Sequence, residues 1–391
     1  MKIPRDKTDD YTAEMLARRR AFVTEQTGAA LEHIGRSSVP PEQLSGNIEN
    51  ALGTIQIPVG VAGPLMVHGE HVSPDEAVFV PMATTEGTLL ASYNRGMRLI
   101  RECGGVHVTI MERFMQRAPV FHFEGARDAK AFSAWLARPD VEAQVRAACE
   151  STTSIGKLSH IERYAVGPMI YTRMNFTTGD AAGQNMCGKA AQAGCEWIAA
   201  NYPGALKGYT LSGAIDTDKK HSQLNTLHSR GARVVAEVVL EPDITRTLMR
   251  AETRDLFRMR QVSMAGGMLA GTANNGVHAA NGIAAIFIAT GQDEANVAES
   301  HAGISFLDLR EDGSLYWSLT LPSLIMATYG GGTGLPTQRE CLSMMDCVGT
   351  GKVERLLEIT AGAVMAGEIS LSSAIAAGDW VSSHDKLGRN R

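Results

Sequence analysis

The stretch from Gly46 to Gly96 constrains this chain more than any other. It reads ENALGTIQIPVGVAGPL, passes through a short hairpin-like segment, and resumes as VPMATTEGTLLASYNRG. The glycine-rich first half opens a large unit after the two-proline linker GRSSVPPEQLSG has ended whatever precedes it. The second half sets one carboxylate, Glu86, on a Gly- and Thr-rich turn that runs into an apolar helix. A carboxyl in such a setting can keep a proton near neutral pH and hand it over, which suggests chemistry. A helix-start glutamate stabilised by the helix dipole fits the same position.

Further along, GAIDTDKKH (213–221) places Lys219 and Lys220 after Thr217 and Asp218, in a polar segment between two apolar ones. A lysine there reads either as a solvated loop or as a positive partner for a carbonyl that becomes an oxyanion. Asp293, in GQD after the apolar run GIAAIFIAT, lies past a helix C-terminus, where negative charge opposes the dipole and needs a cation. Lys219 would meet that need, coupling the two groups and Glu86 as one set. His278 and Asn281, three apart, share a helix face. His384, in the polar tail SSHDKLGRNR, has a side chain that can donate a proton near pH 6.5.

At 391 residues and 44% apolar content the chain holds two or more cores. A formal charge of −5, without a Lys/Arg-rich run, argues against nucleic acid as partner. The charged N-terminus MKIPRDKTDD carries no signal-like apolar core, and the longest apolar run, Gly282 to Ala289, is far short of the ~20 residues a bilayer span needs. These features read as a soluble, cytoplasmic protein. Six cysteines at 103, 149, 187, 195, 341 and 347 form no CxxC pair, so neither a metal site nor a disulfide framework is expected.

The expected fold class is α+β. Residues 1–45 read as an N-terminal helical arm, with Leu16, Phe22, Val23 and Ile34 loosely at helical spacing behind Asp10. Residues 46–106 and 212–391 form the large unit, with strands at RVVAEVVL and LYWSLTL and Ala/Gly-rich helices near 276–290 and 354–377. Between them, 107–211 alternate strands at 118–125 and 169–176 with helices near 128–138 and 188–200, a small α/β sandwich. Two segments imitate nucleotide motifs. GQNMCGKA (183–190) has Ala190 where a Walker A loop needs a hydroxyl, and GGGTG (330–334) lacks Rossmann spacing.

In this order and at these separations, the segments around Glu86, Lys219, Asp293 and His384 resemble the catalytic portion of the hydroxymethylglutaryl-CoA reductase family, in the class shared by eukaryotes, archaea and some bacteria. The likeness runs from about Gly46 to His384. It implies that the large unit binds the CoA thioester and that the 107–211 insert is ferredoxin-like and binds NADPH or NADH. It further implies reduction of hydroxymethylglutaryl-CoA to mevalonate by two hydride transfers, in a homo-oligomer whose site lies where subunits meet. Eukaryotic members carry a membrane region ahead of this portion, so the chain looks prokaryotic.

By the same resemblance, Glu86, Lys219, Asp293 and His384 are catalytic, His384 protonating the departing thiolate. Ser212, Asp218, Lys220, His278 and Asn281 line the substrate. DAAGQN (180–185), against the family's DAMGMN, offers Asp180, Ala181, Gly183, Gln184 and Asn185 to the dinucleotide, and Lys157 is the basic residue nearest an NADP phosphate, leaning slightly toward NADPH. One departure stands out: Thr109 occupies the place of an arginine that grips the acyl part, with His107 or Arg113 as substitutes. A different acyl-CoA, or an idle CoA- or nucleotide-binding protein, are the rival readings.

Overall fold

The structure, a computed structural model, describes residues 2–378, so His384 lies outside the described residues. The chain begins with α1 (Ala13–Thr27), capped by the Thr12 hydroxyl and closed by Gly28 at φ 75°. That closure makes the arm helix shorter than the 11–34 pattern, because a left-handed glycine stops it. Then follow β1 (Val59–Leu65), β2 (Val67–His68), β3 (Val78–Ala83), α2 (Leu89–Glu102), β4 (Val106–Arg117), β5 (Val120–His122), α3 (Ala126–Leu136) and α4 (Pro139–Glu150). Helix α4 adds to those expected; Val141, Val145 and Cys149, four apart, form its buried face. Next come β6 (Lys157–Val166), β7 (Met169–Thr177), α5 (Gln184–Asn201), β8 (Gly208–Thr210), α6 (Gln223–His228), β9 (Gly231–Leu240), α7 (Pro242–Met249) and α8 (Thr253–Ala270). The chain closes with α9 (Ala279–Thr290), α10 (Val297–Ser300), β10 (Ile304–Leu309), β11 (Leu315–Leu324), α11 (Pro336–Met344) and α12 (Val353–Ala376).

The result is a mixed α/β fold with antiparallel sheets. β1 and β3 pair by themselves, and the other strands join in the order β10-β11-β9-β4-β7-β5-β8, with β2 on β4 and β6 on β7. β4 links two cores. Residues His107 to Phe114 pair with β9, and Met115 to Arg117 pair with β7. One cluster gathers around α2, α9 and α12; another, rich in aromatics, gathers Phe121, Phe132 and Phe176. A third, small cluster of Leu16, Val39, Leu44 and Ala51 fastens the arm.

The Ala/Gly helices pack as their composition predicts. Tyr93 of α2, fully buried, lies over Gly282 of α9 and Gly367 of α12, where an added Cβ would stand 1.9 Å and 2.4 Å from its atoms. α12 also corrects an expectation. It is long and apolar enough to cross a membrane, unlike the Gly282–Ala289 run, but 83% of its most apolar window is buried inside the protein.

At Gly96 a methyl group would meet the Ala366 carbonyl oxygen at 1.9 Å, backbone that cannot rotate away. Gly96→Ala should therefore lose about 1–3 kcal/mol or more by forcing α2 off α12. Urea denaturation measures this; an unchanged midpoint would refute the close crossing.

Candidate active site

The groups singled out in the sequence collect at the two ends of α9. At its N-terminal end, Glu86 sits in the 84–88 loop between β3 and α2, its N–H donating to the Thr84 hydroxyl at 3.0 Å. Asn281 Nδ2 donates to Glu86 Oε2 at 2.7 Å. The Glu86 carboxylate is exposed in the single chain, not enclosed, because its loop lies on the surface. His278, at the N-cap of α9, is 6% exposed. Burial pushes its pKa down, against the Glu86 charge and the Asn281 hydrogen bond, so the ring is neutral at pH 7. Its Nε2 is buried without a partner among the described residues.

At the other end, Lys219 Nζ lies 3.0 Å from Asp293 Oδ2. The hydrogen bond to Asp293 raises the lysine pKa, with burial opposing, so the ammonium stays charged. Asp293 also caps the short turn 294–296 by accepting the Ala295 N–H. The pairing expected of Lys219 and Asp293 is present. Glu86 does not join it: among the described residues no hydrogen bond or ion pair links Glu86 to either. Lys220 is exposed, its Nζ donating to the Asp218 carbonyl at 2.9 Å. Ser212 Oγ donates to Asp216 Oδ2 at 3.3 Å.

The turn into α5 adjoins this second end. Gln184 Nε2 reaches Asn296 Oδ1 at 2.9 Å and Asp218 Oδ1 at 3.5 Å. Gly183, at φ 82°, turns the chain where a Cβ would strike Thr178. Ala181 accepts the Thr178 hydroxyl through its carbonyl, and Asn185 is exposed on the first turn of α5. Asp180 is occupied structurally, accepting the N–H groups of Gly351, Lys352 and Val353 at the start of α12. The Walker-like segment is helix, not loop. Lys157 opens β6 and pairs with Glu150 at 3.1 Å. Thr109 is exposed on β4. Its suggested substitutes are committed: His107 stacks on His68 at 4.5 Å, and Arg113 donates to the Gly179 carbonyl and to Glu354, each at 2.6 Å.

A profile of the family described as hydroxymethylglutaryl-coenzyme A reductase matches residues 15–389. The chain belongs to that family. It is 39% identical over 378 residues to 3-hydroxy-3-methylglutaryl-coenzyme A reductase of Aeropyrum pernix, covering 95% of this chain and 89% of that one. It is 37% identical over 372 residues to reductase 2 of Dictyostelium discoideum, covering 93% and 69%. Among solved structures, the class II 3-hydroxy-3-methylglutaryl-CoA reductase of Streptococcus pneumoniae, bound to NADPH in open conformations, shares the fold: TM-score 0.67, 21% identity, 93% and 96% coverage. Sequence likeness thus extends to archaeal and eukaryotic reductases.

In this reductase the Lys219 loop rests on buried groups that the sequence did not single out. Glu299 Oε1 accepts the Lys219 N–H at 2.5 Å and faces Arg230, which also binds Asp218 at 2.6 Å. Asn225 accepts the Thr217 hydroxyl and donates to the Lys220 carbonyl. Behind it, Arg173 donates to the carbonyls of His228 and Ser229 and pairs with Glu162. Glu368 backs the other end, accepting the N–H groups of Val277, His278 and Ala279. Only Glu368 carries a signal, as the single charge in the apolar run 361–377.

Glu162 supplies a pH test. Burial raises its pKa, but hydrogen bonds from His160 and Tyr164 and the Arg173 charge outweigh that and hold it at about 2. A carboxyl depressed below its unfolded value stabilises the fold above the unfolded pKa of about 4.3 and stops doing so as pH falls through the folded one. The stability gap between wild type and Glu162→Gln should be full at pH 6 and close between about 4.5 and 2. Urea titrations across that range report it; a gap independent of pH would contradict the assignment.

Proposed function

We infer that this chain reduces hydroxymethylglutaryl-CoA to mevalonate and free CoA, consuming two hydrides and two protons. The carrying observation is the charged Lys219–Asp293 pair, joined through Asp218 and Gln184 to the start of α5. The first turn of α5, where Asn185 is exposed, with the glycine turn before it, suits a dinucleotide phosphate, because free helix N–H groups and the dipole attract anions. Gly183, Gln184 and Asn185 would hold NADPH or NADH there, beside Asp180 and Ala181, and Lys157 leans the choice toward NADPH. Reduced nicotinamide supplies the hydride.

What the chain supplies is charge and protons. Hydride addition to the thioester carbonyl leaves an oxyanion, and the Lys219 ammonium, kept protonated by Asp293, stabilises it. The tetrahedral adduct expels CoA thiolate, to which His384 gives a proton. The second addition, to the aldehyde, leaves an alkoxide that takes its proton from Glu86. Asn281 and the neutral His278 orient the substrate beside Glu86. With Thr109 unable to grip the acyl carboxylate, that task falls to Lys220 and Ser212, near Asp218.

The site is completed by a second copy of the chain. From Asn281 to Thr290, α9 climbs about 14 Å, so the Glu86 and Lys219 ends of one chain stand too far apart for one carbonyl. Both ends are exposed. Residues 107–211 form the ferredoxin-like dinucleotide unit, 46–106 and 212–391 the thioester unit, and 1–45 the arm; the separate cores support three units, with Val108 and Ile110 packed into the thioester unit's core and the dinucleotide unit's own core starting at Met115. The protein works in the cytoplasm, in keeping with six free cysteines.

Lys219→Ala should lower kcat by about 10²–10³ with folding intact. Lys220→Ala should instead raise KM for the thioester by about ten- to a hundredfold. Steady-state kinetics separate the two; equal losses in kcat would mean the lysines are reversed. For the shared site, Glu86→Gln and Lys219→Ala chains co-expressed in equal amounts should recover about a quarter of wild-type activity, since half of randomly formed dimers are mixed and each mixed dimer holds one intact site. No recovery would place the whole site within one chain.

A further inference from the structure

Lys219 holds a backbone conformation that long side chains rarely adopt, with φ at 58°, and Thr217 and Ala214 nearby stand at 54° and 65°. Such strain persists only where surroundings over-determine it. The direction of the ammonium follows from the same dihedrals, so whatever holds the backbone also aims the charge.

The short segment from Asp293 to Glu299 grips Lys219 twice. Asp293 takes the ammonium at 3.0 Å, and Glu299 Oε1 takes the backbone N–H at 2.5 Å. Glu299 is 1% exposed and fixed from two other sides: Arg230 Nε lies 3.3 Å from Oε1, and Asn296 Nδ2 lies 3.5 Å from Oε2. Arg230, fully buried, also binds Asp218 on the catalytic loop, and Asn296 accepts from Gln184 at the turn into α5. One carboxylate therefore joins the lysine backbone, the loop aspartate's partner and the dinucleotide turn.

We propose that Glu299 is a positioning residue for the catalytic lysine: its oxygen holds the Lys219 amide in the left-handed conformation that points the ammonium at Asp293 and the reacting carbonyl. It touches no reacting atom. The inference rests on Lys219 being the catalytic cation.

A rival role, charge partner to Arg230 alone, makes the opposite forecast, which three substitutions separate. Glu299→Gln and Glu299→Met both remove the charge at similar volume, but only glutamine keeps an acceptor for the amide. Glu299→Asp keeps the charge and withdraws the acceptor by one methylene. Positioning predicts that kcat falls about tenfold to a hundredfold in the methionine and aspartate variants, with KM for thioester and dinucleotide within about twofold, and much less in the glutamine variant. Glutamine no better than methionine, or aspartate equal to or better than glutamine, would overturn the proposal, as would wild-type kcat in all three. If the methionine variant does not unfold cooperatively, the glutamine–aspartate order decides alone. A Lys219→Ala enzyme of normal rate would instead remove the catalytic reading itself, whatever the Glu299 variants do.

Discussion

The Glu368 carboxylate, fully buried in the middle of α12, accepts the three N–H groups at the start of α9. An ion in a protein interior costs several kcal/mol unless its lone pairs are satisfied, and here the helix amides and Arg260, 3.8 Å away, satisfy them. Burial pushes the Glu368 pKa up, against the pull of those amides and the Arg260 charge. Because α12 cannot shift without exposing an apolar surface buried along most of its length, the start of α9 is nailed to the core. His278, Asn281 and, through Asn281, Glu86 take their places from that anchor.

The same helix then carries the constraint outward. Packing of Tyr93 across Gly282 and Gly367 sets the spacing of α2, α9 and α12, and α2 brings the loop that bears Glu86. At the far end, Gly291 turns the chain at φ 68° against the backbone of Gly332, which directs Asp293 toward Lys219. Two charged centres are thus placed by one apolar rod. Their electrostatics differ for a plain reason: Glu86 faces solvent, whereas the Lys219 loop stands on Glu299, Arg230 and Asn225, all at most 1% exposed.

Much of this was legible in the chain. The Ala- and Gly-rich runs announced close helix packing, the alternation in RVVAEVVL and LYWSLTL announced β9 and β11, and Asp293 after an apolar helix called for a cation that proved to be Lys219. What stayed hidden depends on contacts between residues distant in sequence. Glu299 and Arg230 sit in unremarkable polar stretches and acquire meaning only when β9 and α10 converge under the Lys219 loop. Asp180 looked like a ligand residue, yet its acceptors point at the start of α12, some 170 residues on, because three unpaired helix amides need them. The separation of Glu86 from Lys219 was equally invisible, since the length of α9 matters only once both ends are proposed to carry chemistry.

That separation bears on the life of the newly made chain. If Glu86 and Lys219 act as proposed, from opposite ends of a rigid helix, a lone folded copy would bind a thioester or a dinucleotide without being able to use one on the other. Reducing power would then not be lost on stray acyl groups before assembly, and activity would rise with the square of the chain concentration when copies are scarce. The length of one apolar helix would then act as a concentration gate on flux.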